Sequence, residues 1–455
     1  MTTPRHPHAP HHGEPPNVGQ SRAPGWNTGV TPLRRRSVGA LLAATLALGV
    51  LAGCGGGGGG NDAAWLGAWS AAPQNFNEPI PLPGYAQPVP TAYADTTVRQ
   101  WVRPSVAGDQ VRVRLSNVAG AVPVTVSAAT LARSAGGGAV DTQSLKTVTF
   151  AGARTLTLAP GAEVWSDPVA IAARANEDLG LSLYFAQSTP VASVHRAALR
   201  IGAAAAGNVT EQAKFDGATA VARYDLVTGV DVYSSANPAV VVAFGDSITD
   251  GTASTPDALQ RYPDHLARRV AADASSAGAV SVLNMGIAGN RVLNNKLGPA
   301  GVLRFERDVL GQSGVSHVIV LLGINDIGYG FLSGPPFNLI DAAEVVTAEQ
   351  IIDGYRRMLT AAQARGVKVL LGTLLPFKGA GYYNAATEAK RQAVNAWIRA
   401  QAAQVHAVID FDKAMGDPAD PLALNPLYDS GDHLHPNDAG YAEMAAAVDL
   451  KKLSR

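Results

Sequence analysis

The sequence predicts an α/β protein: a parallel sheet covered by helices on both faces, preceded by an all-β region of sandwich or jelly-roll type. Three observations predict this. From Trp65 to about Ser235, short runs alternate apolar and polar residues, with Gly and Pro between them. That is the pattern of half-buried strands in a sandwich. From about Asn237 onward, strand-like apolar runs alternate with helix-like segments, as in a parallel sheet with helices on both faces. Finally, four short polar motifs follow these later runs: Gly245-Asp246-Ser247-Ile248, a Gly-rich loop ending in Gly289-Asn290, Gly323-Ile324-Asn325-Asp326, and Asp432-His433-Leu434-His435. In an open parallel sheet the carboxyl ends of the strands share one edge, where ligands bind, so four distant loops are expected to meet in one crevice.

The elements follow in order along the 455 residues. Residues 1–53 read as a leader and signal peptide. The stretch before residue 34 is Pro- and His-rich, with His6, His8, His11 and His12 close together. Then Arg34-Arg35-Arg36 precede an apolar run from Val38 to Leu51. A basic region, a short apolar core and small residues before a cut describe an export signal; the run is too short for a comfortable membrane span. Arg35-Arg36-Ser37-Val38 loosely resembles a twin-arginine signal, although Gly39 stands where a large apolar residue is expected. Residues 54–62 carry an unbroken glycine run, Gly55 to Gly60, which behaves as a flexible tether. Residues 63–236 form the β-rich region, with alternating runs such as Thr97–Val102, Val111–Leu115 and Leu181–Phe185. Residues 237–455 form the α/β domain. Its expected strands are Val240–Phe244, Ser281–Met285, His317–Leu322, Val367–Thr373 and Ala407–Asp410. Its expected helices are Tyr262–Ala274, Thr347–Arg365, Thr387–Gln404 and Asn437–Leu450. Asn437, after Pro436, is a good N-cap for the last of these.

Composition narrows the function classes. The chain carries no net formal charge, and beyond residue 53 there are 31 basic against 35 acidic residues, a balance of −4. This leaves no electrostatic footprint for nucleic acid. The single Cys, Cys54, excludes an intramolecular disulfide and a thiolate cluster for zinc or iron–sulfur.

The four motifs bring the parts of acyl-transfer chemistry. Ser247 is the expected nucleophile, in a Gly-flanked turn after a buried strand; a serine hydroxyl needs a base to take its proton. His435 is the expected base. Asp432 lies three residues before it, so one turn can set the carboxylate on the imidazole nitrogen facing away from Ser247, fixing the tautomer and stabilising the imidazolium. His433 is expected to point away, and His317, at the start of a strand, to be structural. The backbone N–H groups of Gly289 and Ser247 and the side-chain amide of Asn325 are the expected oxyanion donors.

These four blocks resemble those of the SGNH hydrolase (GDSL esterase/lipase) superfamily: Ser247 in Phe-Gly-Asp-Ser-Ile-Thr-Asp-Gly, Gly289 in the second block, Asn325 in Gly-Ile-Asn-Asp, and Asp432 with His435 in Asp-x-x-His-Pro. The resemblance runs from about Ala239 to Val448. It implies a three-layer α/β/α flavodoxin-like domain, a Ser-His-Asp triad, a three-donor oxyanion hole, and neither metal nor cofactor. It also implies that Asp250 and Asp326 brace loops rather than perform chemistry. The stretch Trp65-Leu66-Gly67-Ala68-Trp69-Ser70 is similar to the front of extracellular members with an N-terminal β-rich region, some of which sit beside xylan-degrading enzymes.

The expected function is therefore a secreted serine esterase acting through an acyl-enzyme. Small acyl groups on polysaccharide, acetyl above all, are the first expectation for substrate. Lipid ester is the alternative, and an acyltransferase would use the same intermediate. Tyr329, Phe331, Phe377, Tyr382 and Tyr383 stand in loops where they either line the substrate pocket or pack. A non-catalytic carbohydrate-binding lipoprotein is the rival reading, with Trp65, Trp69, Trp101 and Trp165 as the residues that would stack on sugars or fill the core. Leu51-Ala52-Gly53-Cys54 resembles the end of a bacterial lipoprotein signal, so a lipid on Cys54 is expected to tie an exported protein to a membrane. Replacing Cys54 by Ser should abolish acid-resistant palmitate labelling; label that persists would put the attachment elsewhere.

Overall fold

The computed structural model describes residues 63–80, 91–276 and 278–455; the expected signal, tether and Cys54 lie outside them. The α/β part is built on five parallel strands: β1 (Ala239–Gly245), β2 (Val280–Gly286), β3 (Val315–Leu321), β4 (Lys368–Gly372) and β5 (Ala407–Ile409). Their order across the sheet is β2-β1-β3-β4-β5, and all neighbours run parallel. β1 is buried at every position, which is why it reads as an unbroken Val/Ala/Phe run rather than an alternating one. Each of its valines withdrawn from water contributes about 1.5–3 kcal/mol.

Helices cover both faces, giving three layers. Tyr262–Ala272 and Asp438–Ala446 pack together on one side, and Ala348–Ala364 and Ala385–Ala400 on the other. Their starts carry local signals. Thr347 and Gln350 form a capping box, Asn384 caps Ala386 and Thr387, and Asn437 accepts from the Gly440 N–H. The helices expected from the sequence are all present, and two of them end about four residues early.

The described residues between 64 and 234 form antiparallel strands. One sheet of four strands runs Ala64–Ser70, Val227–Ser234, Gln110–Ser116, Glu163–Trp165. A larger sheet is centred on Thr96–Val102, Leu179–Phe185 and Ala128–Gly136. Leu181, Leu183, Val98, Val113 and Val230 fill a core of their own. Trp69 and Trp101 are buried, and Trp65 and Trp165 flank the Arg112 guanidinium at 4.8 and 4.4 Å. The tryptophans thus serve packing.

The described residues of both regions form one compact unit. β2 is an edge strand of the parallel sheet, and an open edge invites unwanted pairing. Here it is covered from the β-rich side. Ser281 Oγ donates to Gly67 O (2.7 Å), Ser105 Oγ accepts from Val282 N–H (3.0 Å), and Ser70 Oγ donates to Asn284 O (3.1 Å). Leu66, from the first strand, lies within the core of the α/β layer.

Candidate active site

The β2-β1-β3 order makes a switch point beside β1, and the loops leaving these strands form the crevice there. The loop after β1 turns at once into a short helix, Ser247–Asp250, capped by Asp246, whose carboxylate accepts from Ile248 N–H at 3.1 Å. The loop after β2 carries Gly289 in a left-handed conformation (φ 78°). A Cβ at this position would lie 2.2 Å from the Leu297 side chain and 2.7 Å from the Tyr329 hydroxyl, so only glycine fits. After β3, Gly323 (φ 133°) opens the helix Ile324–Gly328, which presents Asn325.

The fourth block is a self-closing loop. Ser430 N–H donates to His435 O (3.0 Å), and Asp432 Oδ1 accepts the N–H groups of Leu434 (2.9 Å) and His435 (2.8 Å). That Asx-type turn sets Asp432 Oδ2 against His435 Nδ1 at 2.5 Å. His435 Nε2 stands 2.8 Å from Ser247 Oγ. The hydroxyl, the imidazole and the carboxylate thus form one hydrogen-bonded line. Partial burial pulls the Asp432 pKa upward. The hydrogen bond and charge of His435 and the two backbone donors outweigh it and hold the carboxyl well below its ordinary range.

Asn325 meets the loop that carries Gly289. Asn325 Nδ2 donates to Asn290 O (3.0 Å), which spends one amide hydrogen and leaves the other for a ligand. Among the described residues no acceptor meets the Gly289 N–H. Asp326 Oδ2 and Oδ1 accept the N–H groups of Val292 (2.6 Å) and Leu293 (3.1 Å), bracing the second loop, and Asp250 Oδ2 accepts that of Ala288 (2.9 Å). His433 lies in the left-handed region (φ 61°), is exposed, and has Nδ1 2.6 Å from Asp429 Oδ2. His317 is buried against Ser316 Oγ (2.9 Å), and burial pushes its pKa down to about 4. Phe331 and Tyr382 stack at 6.0 Å, and Tyr382 also meets Phe377 at 5.6 Å.

Residues 243–443 match the model of the GDSL-like lipase/acylhydrolase family. This part of the chain belongs to that family. The protein is accordingly an ester-hydrolysing serine hydrolase. The GDSL-like domain is also similar to solved structures. A GDSL-like lipase from Bacteroides thetaiotaomicron is 23% identical, over 46% of this chain and 84% of that one, with a TM-score of 0.33. A carbohydrate acetylesterase from Sinorhizobium meliloti is 17% identical, over 46% and 95%, with a TM-score of 0.34. An acetyl xylan esterase variant from Geobacillus stearothermophilus is 21% identical, over 48% and 96%, with a TM-score of 0.37. No curated protein matches the sequence.

Three groups at the GDSL-like site were given no role by the sequence. Arg304 lies fully buried and donates to Gly245 O (2.8 Å), Met285 O (2.8 Å) and Asn290 Oδ1 (2.9 Å). His195, from the β-rich region, reaches Asp250. Asp246 caps the Ser247–Asp250 helix and is a buried acid. Burial pushes its pKa up to about 7, with Asp326 adding to the rise, while the Ile248 N–H and the His435 charge oppose it.

Two predictions follow from this geometry. Gly289→Ala should lower kcat/KM by about 100-fold, the scale of losing one oxyanion donor, with the protein still folded by circular dichroism; wild-type turnover would show that the loop tolerates the Cβ. The second concerns pH. Because Asp246 holds its proton when folded up to about pH 7, but releases it near its ordinary 3.8 when unfolded, stability should fall as pH rises through that window. Asp246→Asn removes this term and keeps the cap. Between pH 5 and 8 the wild-type Tm should therefore drop more than the variant's; parallel curves would contradict the raised pKa.

Proposed function

We propose that Ser247, His435 and Asp432 are the catalytic triad of a carboxylic ester hydrolase, with Gly289, Asn325 and Ser247 as its oxyanion donors. The observation that carries this reading is the continuous hydrogen-bonded line from Ser247 Oγ through His435 to Asp432. His435 Nε2 takes the Ser247 proton as Oγ attacks the ester carbonyl. Nδ1–H, held by Asp432, fixes the tautomer that leaves Nε2 free to accept. The carbonyl oxygen gains its charge between the N–H groups of Ser247 and Gly289 and the remaining amide hydrogen of Asn325. The imidazolium then protonates the departing alcohol, leaving the acyl group on Oγ. Water, deprotonated by His435, attacks the acyl-enzyme and releases the acid, restoring the serine.

For substrate we propose small acyl groups, acetyl first, on carbohydrate. Two observations support this. Leu297 and Tyr329 crowd the space directly behind Gly289, which suits a short acyl chain. Phe331, 40% exposed and stacked on Tyr382, offers an aromatic face on which a sugar ring can rest. The proposal extends to location: an exported protein held to a membrane through a lipid on Cys54.

Ser247→Ala should leave folding intact and lower p-nitrophenyl acetate turnover by several orders of magnitude, and a phosphonate label should map to Ser247; label on another serine would overturn the assignment. Asp432→Asn should cost about 10- to 1000-fold, less than His435→Ala, since the comparable change in a serine protease triad costs about 10⁴-fold. His433→Ala should cost little; a loss equal to that of His435→Ala would mean the other imidazole is the base. An acyl series from acetate to palmitate, run beside acetylated xylan, tests the substrate, and a rate that climbs with chain length would favour lipid ester.

A further inference from the structure

His195 sits at the end of the strand Ser193–His195, in the β-rich region, paired with Gln74–Asn75 on one side and Tyr224–Asp225 on the other. It is 5% exposed, and its partner Asp250 is 1% exposed. Its Nε2 lies 3.0 Å from Asp250 Oδ1, and its Nδ1 lies 3.0 Å from the carbonyl oxygen of Ala72. Both ring nitrogens therefore face acceptors. A neutral imidazole has one N–H, so only the imidazolium satisfies both bonds. Burial alone pulls the His195 pKa down, but the Asp250 charge and both hydrogen bonds raise it above its ordinary value. The Tyr224 ring lies beside it at 6.2 Å.

Asp250 is attached to both halves of the proposed oxyanion hole. It ends the four-residue helix that starts with Ser247. Its Oδ2 accepts the Ala288 N–H at 2.9 Å, one residue before Gly289. Among the described residues, His195 alone holds its Oδ1. Without that donor a buried carboxylate loses its only hydrogen-bonded positive partner among the described residues, an arrangement that is unfavourable. The carboxylate would then move to find another donor, and its grip on Ala288 changes with it. Oxyanion donors act only when aimed where the charge develops, so a small shift of the Ala288–Gly289 peptide is felt in the rate.

We propose that His195 is a positioning residue for the oxyanion hole: supplied by the β-rich region, it fixes the Asp250 carboxylate and, through it, the Ala288–Gly289 peptide opposite Ser247. This rests on the reading of Ser247 and Gly289 given above. It also gives the β-rich region a part in turnover that does not depend on binding substrate.

The test uses the full chain, p-nitrophenyl acetate and two neutral amides of different reach. The amide nitrogen of Gln overlies Nε2 of histidine, whereas that of Asn overlies Nδ1. His195→Gln can still donate to Asp250; His195→Asn can donate only to Ala72. His195→Asn should lower kcat by about 10- to 100-fold with KM within about twofold, and slow phosphonylation of Ser247 in proportion. His195→Gln should stay within about threefold of wild type. Wild-type kcat in His195→Asn, or equal losses in both variants, overturns the proposal, since the donor to Asp250 would then not be what matters. If neither variant accumulates as folded protein, Asp250→Ala is read instead: a similar fall in kcat at unchanged KM supports the relay, and wild-type kcat overturns it. Ser247→Ala is run alongside. Turnover that survives it overturns the active-site reading itself, whereas an inert Ser247→Ala beside a fully active His195→Asn overturns only the relay.

Discussion

Arg304 carries a guanidinium with no exposed surface into the centre of the α/β domain, and burial lowers its pKa to about 10. Four of its five N–H donors are spent on Gly245 O, Met285 O, Asn290 Oδ1 and the Asp308 carboxylate. Two of these acceptors lie at the ends of β1 and β2, where the backbone leaves the sheet; Gly245 O also accepts the Ile287 N–H (3.1 Å). The third belongs to the residue after Gly289. One planar fork thus joins the ends of two strands and ties both to the loop that bears Gly289, the proposed oxyanion donor. Asn325 joins the same cluster by donating to Asn290 O. The charge is tolerated because Asp308 neutralises it and the Phe244 ring lies 4.0 Å away. A lysine, with a point charge and three donors, would not span these partners. The crevice is therefore fixed from below, and its loops need little ordering of their own when substrate arrives.

How much of this was legible in the sequence depends on the range of the interaction. The parallel strands were readable because burial on both faces forces an uninterrupted apolar run, as in Val240–Phe244. Asn437 announced its helix because a cap acts over three residues. Asp432 and His435 were legible as a pair because one turn brings them together. The resemblance to a known family then joined the four blocks, which no local rule could do. Arg304, His195 and Asp246 were not legible. Arg304 is one arginine among many, and only the fold shows that its head is dry. His195 lies 55 positions from Asp250, in a region whose strands predict their own packing but not what their ends touch. Asp246 stood in the first motif without a role, and its raised pKa comes from burial and from Asp326, which is remote in sequence.

The two regions are coupled by polar contacts rather than by a simple apolar seam. Serine hydroxyls bridge β2 to the strand Ala64–Ser70, and Arg112 and Arg114 reach Ser313 and Gln312 across the boundary. Such contacts are directional, and they fix register as well as proximity. Leu66 adds an apolar anchor in the neighbouring core. A region joined this way cannot tilt freely, which is what a positioning role for His195 requires.

Among the described residues the histidine–carboxylate pair occurs three times, and the surroundings of the second nitrogen separate the outcomes. In His435 one nitrogen faces Asp432 and the other a serine hydroxyl, so a proton can be accepted and returned. In His433 one nitrogen faces Asp429 and the ring is largely in water, so the pair orders a loop whose backbone is strained at that residue (φ 61°). In His195 one nitrogen faces Asp250 and the other a backbone carbonyl, with no solvent at either. That imidazolium has no acceptor to give its proton to without leaving a buried group unsatisfied, so it is unsuited to act as a base and well suited to hold a carboxylate still. What a histidine does here is decided less by its carboxylate partner than by what stands across the ring from it.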